Sequence, residues 1–192
     1  MKKDRFAAFF DAIMAIILTI GVLGFAQPKG ANWSDLGELG IQVLTYALSF
    51  FWLCVLWVNV HALWHDVEII TKGVMWTNLV MLFFASMIPF LTIYVGNNIG
   101  EVVPLSLYAA DVIIVSVFNQ ISNELLWKQN LSIKAAVESN RISAIIGVII
   151  IGVGLVLGIT VFPSAIIIAI FVKSVYALVS YIIMKKHIKI TR

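Results

Sequence analysis

Six apolar runs, each about 20 residues long, dominate this chain of 192 residues and constrain its fold more than any other feature. An α-helix of roughly 20 apolar residues is long enough to cross the hydrocarbon core of a bilayer. Hydrophobic residues make up 61% of the chain and charged residues 12%, whereas a soluble domain carries about 25% charged residues. The sequence therefore predicts an all-α integral membrane protein with six transmembrane helices.

The predicted spans cover about 7–26, 38–63, 73–96, 102–125, 141–161 and 163–184. They use most of the chain and leave only short loops, so we expect one transmembrane domain over residues 1–192. No nucleophile, base and oxyanion donor converge at a recognisable spacing, and an enzyme is not expected. The function is expected to lie within the helices.

Basic residues flank the predicted spans almost entirely on one side of the membrane. They are Lys2, Lys3, Arg5, Lys72, Lys128, Lys134, Arg141, Lys185, Lys186, Lys189 and Arg192, and only Lys29 lies in a loop on the opposite side. Cytoplasmic loops carry an excess of lysine and arginine, so both termini are predicted to be cytoplasmic. The net charge of +3 reflects this topology and gives no reason to expect nucleic-acid binding.

The N-terminus also has features of a secretory signal, because the basic residues at 2–3 precede an apolar run and the Gly-Phe-Ala sequence at 24–26 mimics a cleavage site. Asp11 and the bulky pair Phe9 and Phe10 favour a retained helix instead. Cleavage would also leave an odd number of spans, which the loop charges contradict.

Helical periodicity separates two features of the first span. Ile16, Ile20 and Leu23 fall within about 60° of one another on the helical wheel, whereas Asp11 points about 140° away from Ile16. The small residues Ala8, Ala12, Ala15 and Thr19 form an adjacent stripe that is typical of close helix approach. The apolar stripe can face lipid, another helix or the symmetry axis of an oligomer.

Asp11 lies inside the first apolar run, where an unpaired carboxylate is costly. Polar and aromatic residues at about the same depth end the second span (Trp57, Asn59, His61) and begin the third (Trp76, Asn78). Indole, amide and imidazole N–H groups donate hydrogen bonds to a carboxylate. We expect a structural cluster around Asp11, with the ligand of a transported ion as the alternative.

His61 and His65 lie one helical turn apart, and Asp66 follows directly. No further ligands converge on them in the sequence, so a metal site is not expected. His61 can nevertheless make the cluster at Asp11 sensitive to pH.

Two charged residues lie deep in other spans, Asp111 in the fourth and Lys173 in the sixth, each around ten residues from the outer end. Equal depth predicts a buried ion pair, because pairing lowers the cost of burying both charges. The alternative is a proton or ion relay with Asp11 and His61.

The run Arg5-x-x-x-Phe9-x-Asp11 resembles the signature of the endosomal and lysosomal potassium channel family (transmembrane protein 175), in its prokaryotic branch. Further matching residues are Trp57, His61, Trp76-x-Asn78-Leu79, Phe84-x-Ser86-x-x-Pro89-Phe90 and Leu107-Tyr108. Two positions depart from the pattern: Phe10 stands where the family usually has serine, and Val60 precedes His61 where the family often has paired histidines.

The resemblance implies a six-helix subunit that assembles as a homotetramer around first helices lining a cation pore in a prokaryotic plasma membrane. It assigns the narrow hydrophobic filter to Ile16, Ile20 and Leu23, with Thr19 nearby, and makes potassium the permeant ion with no cofactor. The structural motif of the family maps onto Arg5, Phe9, Asp11, Trp57, His61 and Asn78. The competing interpretation is a proton-coupled ion transporter that uses Asp11, His61, Asp111 and Lys173.

Overall fold

The computed structural model describes residues 3–190, except for the side chains at positions 34, 38 and 184–190. Its α-helices are α1 (Lys3–Ile20), α2 (Gly37–His65), α3 (Lys72–Ala85), α4 (Ile88–Asn97), α5 (Val102–Trp127), α6 (Lys134–Thr160) and α7 (Ala165–Ile190). They provide six helical stretches that are long and apolar enough to cross a membrane. The predicted all-α fold with six spans is confirmed. Of the basic residues used to predict its orientation, Lys2 and Arg192 lie outside the described residues, as do the side chains of Lys185, Lys186 and Lys189.

The third span consists of two helices, α3 and α4, which are interrupted at Ser86 and Met87. Pro89 lies in the first turn of α4, where its missing N–H costs nothing. A proline at this position cannot continue the hydrogen-bond ladder of α3, so the span breaks just before it. The break agrees with the sequence, in which Pro89 predicts a kink.

Two helix ends differ from the predicted spans. The helix α6 begins at Lys134, about two turns before the predicted span at 141, because the polar sequence from 134 to 140 extends the helix beyond the apolar run. The helix α1 ends at Ile20 and continues as a 3₁₀ turn over Gly21–Gly24. A hydropathy pattern locates apolar segments and does not distinguish these backbone forms.

The helices α6 and α7 make the most extensive contact between two helices in the described part of the bundle. A Cβ atom built on Gly154 would overlap Ala169 of α7, and one on Gly158 would overlap Ile166. The small residues thus allow the two helices to approach each other, as their spacing predicts. The helix α1 packs at one side of the bundle against α2, α3 and α4.

Candidate functional site

The first helix has one buried and one exposed face. The buried face carries Phe6, Phe10, Met14 and Ile17 at helical spacing. On the exposed face Ile16 is 60% accessible and Ile20 is exposed as well, and in the 3₁₀ turn that follows Leu23 is 84% accessible. Since all three lie in a membrane span, this face must contact lipid or another chain.

Two residues of the family signature lie on the same exposed face. Arg5 and Phe9 are both exposed, and helical geometry places each within about 20° of Ile16. The resemblance assigns both residues to the structural motif of the family. Arg5 lies eleven residues and Phe9 seven residues before Ile16, and this helical spacing places both on the exposed stripe.

The hydroxyl group of Thr19 bonds within its own helix. Its Oγ1 donates to the carbonyl oxygen of Ala15 at 3.0 Å and lies 3.3 Å from that of Ile16. The side chain is exposed between Ile16 and Ile20, so its oxygen remains free to accept. This stripe therefore presents branched apolar groups with one hydroxyl oxygen among them.

Asp11 is held by α2. Its Oδ1 accepts a hydrogen bond of 2.8 Å from Nε1 of Trp57, and the ring of Trp57 stacks on His61 with centroids 5.1 Å apart. The other predicted donors have different surroundings: Trp76 is exposed, and Asn59 lines a cavity elsewhere in the bundle. Trp57 is the predicted donor that the structure brings to Asp11.

Asn78 serves the packing of α3 against α5. Its Nδ2 donates to the carbonyl oxygen of Val74 at 2.8 Å and to Oγ of Ser122 at 2.6 Å. Both Asn78 and Ser122 are buried, and the contact satisfies polar groups that face each other inside the bundle. The family residue Asn78 is thus a bridge between helices.

Phe10, which replaces the usual serine of the family, is fully buried. Its ring lies 5.2 Å from that of Trp64, and Phe6 stacks on the same indole at 5.5 Å. Such aromatic contacts stabilise packing beyond the buried area alone. In this chain an aromatic anchor to α2 stands in place of the serine hydroxyl.

The other end of the first span is held by Tyr46 of α2. Its hydroxyl donates to the carbonyl oxygen of Leu18 at 2.8 Å, and its ring lies against Gly21, where an added Cβ would come within 3.1 Å. A Cβ on Gly24 would overlap the side chain of Ile93. The glycines let the 3₁₀ turn approach α2 and α4 closely, which fixes the backbone that carries Ile20 and Leu23.

The predicted ion pair between Asp111 and Lys173 is wrong. Within the described residues Nζ of Lys173 donates to Oγ of Ser116 at 2.6 Å, and no carboxylate lies within 4.0 Å of it. Equal depth is not sufficient for contact: Ser116 is five residues beyond Asp111, hence about 140° around α5 and about 7.5 Å along it. Oδ2 of Asp111 is buried without a hydrogen bond in the described part of the chain.

His65 and Asp66 pair at the surface, with 3.0 Å between Nδ1 and Oδ1. Among the residues whose side chains the structure describes, no group of three or more histidine, cysteine, aspartate or glutamate residues is arranged to hold a metal ion. His61 instead contacts Trp57 through its ring.

The fold and this face define a multi-pass helical membrane protein whose first helix carries an uncovered apolar stripe, an arrangement suited to a pore or to an assembly of subunits. Residues 5–89 match the family model described as "Endosomal/lysosomal potassium channel TMEM175". A potassium channel from Chryseobacterium sp. (strain P1-3) is 30% identical over 142 residues, which are 72% of this chain and 74% of the relative. The chain belongs to the TMEM175 family.

Two further proteins are similar. A potassium channel from Streptomyces collinus is 28% identical over 130 residues, which are 66% of this chain and 63% of that relative. The crystal structure of a lysosomal potassium-selective channel TMEM175 homolog from Chamaesiphon minutus superposes with a TM-score of 0.71 at 20% identity, covering 93% of this chain and 97% of that one. At that identity the superposition supports the fold.

Proposed function

We propose that this protein is a potassium-preferring cation channel of a prokaryotic plasma membrane, formed by four copies whose α1 helices surround one pore. The observation that carries the proposal is the exposure of Ile16 and Ile20 on one face of α1, opposite its buried face, and of Leu23 in the 3₁₀ turn that follows. Relatives described as potassium channels support the choice of ion. Both termini would then be cytoplasmic.

The filter would consist of rings of Ile16, Ile20 and Leu23 from the four subunits, with the Thr19 hydroxyl between them. Water leaves a ring of branched apolar side chains readily, so such constrictions gate by dewetting. An ion must shed part of its hydration shell to pass. Potassium is more weakly hydrated than sodium and passes at lower cost, which gives a modest preference without a cage of carbonyl groups.

The contacts of α1 with α2 would orient the filter. Asp11 is bonded to Trp57 near one end of the helix, and Leu18 accepts from Tyr46 near the other. Because Asp11 points about 140° away from Ile16, holding Asp11 against α2 turns Ile16 outward from the subunit. Four such subunits with their stripes facing inward form the proposed pore.

Planar-bilayer recording of the Ile16→Asn variant tests the filter. An amide in the ring retains water, so we expect larger unitary conductance and a lower potassium-to-sodium permeability ratio than in the wild type. Ile149→Asn is the matched control, because Ile149 on α6 is 58% exposed and lies in another span. Unchanged conductance and selectivity in Ile16→Asn would remove Ile16 from the pore.

The tetramer has its own test. Native mass spectrometry of the purified protein should give four subunit masses for the wild type. Replacing Ala12 by Phe on the exposed face of α1 should reduce the fraction of protein found as a tetramer, because small residues there allow close approach of helices. A monomeric or dimeric wild type in lipid nanodiscs would contradict the proposed pore.

A proton-coupled ion transporter using Asp11, His61, Asp111 and Lys173 is the competing proposal. It is favoured by Oδ2 of Asp111, which is buried and has no hydrogen bond among the described residues. Bilayer recordings distinguish the two: unitary current steps indicate a channel, whereas slow saturable flux without them indicates a carrier. For the carrier, Asp111→Asn should abolish proton-coupled flux in liposomes while the oligomer persists. For the channel, the same variant should keep unitary currents.

A further inference from the structure

A second polar site lies inside the bundle and contains no residue of α1. It is a cavity of about 80 Å³ between α2, α5, α6 and α7. A single water needs only about 10–15 Å³ of such volume, so the cavity has room for a small ion together with water. Several lining residues, among them Asn140 and Ser143, are partly exposed, which gives solutes a way in.

Lys173 brings to this cavity an amino group that carries a positive charge when protonated. It is only 8% exposed, donates to Ser116 Oγ at 2.6 Å and places its ammonium nitrogen 5.2 Å from the ring centre of Trp52. Its aliphatic stem lies against Gly147 of α6, where an added Cβ would come within 3.0 Å of Cγ. The helix α6 therefore leaves room at Gly147 for the lysine, and the bundle accommodates this charge without a carboxylate partner.

The remaining lining consists mainly of amide and hydroxyl groups, with no aspartate or glutamate among the lining residues. Asn123 is 4% exposed, and its side chain has no hydrogen-bond partner in the described part of the chain. The side chains of Asn59, Asn119 and Asn140 also line the cavity without such a partner there. Each amide offers two N–H donors.

The acidic residue of α5 that follows Asn123 is already engaged. Glu124 accepts from Gln120 at 3.0 Å and from Trp127 at 2.7 Å, and lies 3.6 Å from Arg141. It does not line the cavity, so it leaves the charge of Lys173 unmatched. A buried cation without a counter-ion is costly in a membrane protein.

We propose that this cavity binds a small monovalent anion of the size of chloride, held by the ammonium group of Lys173 and by amide N–H groups that include Asn123. The amides can present either N–H donors or carbonyl acceptors, so the ammonium group, which repels cations, makes the site selective for an anion. Gluconate is a much larger anion than chloride and serves as the reference anion. The bound ion links α7 to α2, α5 and α6, and so stabilises the subunit.

The test uses the purified full-length protein and bromide as the probe. At constant ionic strength, replacing gluconate by bromide should raise the midpoint of thermal unfolding in a saturable manner. Lys173→Met should lose this dependence. Lys134→Met is the control. The ammonium nitrogen of Lys134 also lies over a tryptophan ring, 5.7 Å from the centre of Trp127, but at the surface. The unfolding midpoint of this variant should therefore depend on bromide as that of the wild type does.

A wild type without a saturable shift, or a Lys173→Met variant with the wild-type shift, would overturn the proposal. If Lys173→Met does not fold, Asn123→Leu changes the same cavity and should weaken the response. Anomalous scattering from wild-type crystals grown in bromide decides independently of any variant. A peak in the cavity near Lys173 supports the site, and its absence at saturating bromide refutes it.

Discussion

Nε1 of Trp57 donates a hydrogen bond of 2.8 Å to Oδ1 of Asp11, and this bond joins α1 in the first span to α2 in the second. The two residues belong to the motif by which the sequence resembles its family. Their contact gives the motif a physical role, since it fixes the rotation of α1 about its axis. The residues exposed by that rotation include Ile16.

Trp57→Phe should destabilise the fold through the loss of one charge-assisted hydrogen bond. The phenyl ring still packs against His61, but the N–H donor is gone. Hydrogen bonds to charged groups contribute about 1.5–3 kcal/mol, so we expect the free energy of unfolding in detergent to fall by about 2 kcal/mol. Trp76→Phe, at an exposed position, should change it little. Equal effects of the two variants would contradict the role given to the Asp11 contact.

Tyr46→Phe should affect ion flux more than its small energetic cost suggests. The variant loses the hydrogen bond to Leu18, worth about 1 kcal/mol, and frees the backbone before Ile20. We expect folded protein with altered unitary conductance in bilayers. Tyr94→Phe is the control, because the Tyr94 hydroxyl has no hydrogen-bond partner in the described residues. Identical conductance in the wild type and both variants would show that Tyr46 does not position the filter.

The sequence predicts the spans well because each needs only a long apolar run, and a helix satisfies all the backbone hydrogen bonds of such a run within the bilayer. The six predicted segments agree with those of the structure to within a few residues, apart from the early start of α6. Pro89 predicts the break of the third span for an equally local reason. Its ring disrupts the backbone hydrogen bonds of the helix whatever the neighbouring helices are.

Contacts between helices were harder to predict, because they depend on rotations that no local pattern fixes. Asp111 and Lys173 match in depth, yet Lys173 bonds to Ser116 on another face of α5. Among the donors predicted at the depth of Asp11, the structure brings Trp57 to it, whereas Asn78 faces Ser122. Depth follows from residue counts, whereas azimuth follows from the packing of the whole bundle.

Phe10→Ser, which restores the usual residue of the family, should destabilise this particular chain. The substitution removes a buried ring from Trp64 and leaves a cavity, and large-to-small changes of phenylalanine cost about 3 kcal/mol or more. Thermal unfolding in detergent measures the loss. Phe83→Ser on the exposed face of α3 is the matched control and should cost less. Stability at the wild-type level in Phe10→Ser would mean that a serine hydroxyl near Asp11 compensates for the lost packing.

Gly154→Ala should separate α6 from α7, whereas Gly152→Ala two residues earlier should not. A Cβ on Gly154 would overlap that of Ala169 and lie 3.2 Å from the carbonyl oxygen of Ala165, so neither neighbour can yield by rotating a side chain. Overpacking of this kind costs about 1–3 kcal/mol. A Cβ on Gly152 meets nothing within 4 Å, and alanine favours the helix by about 1 kcal/mol. We therefore expect opposite shifts of the unfolding midpoint in detergent, and shifts of the same sign would contradict the close packing of α6 on α7.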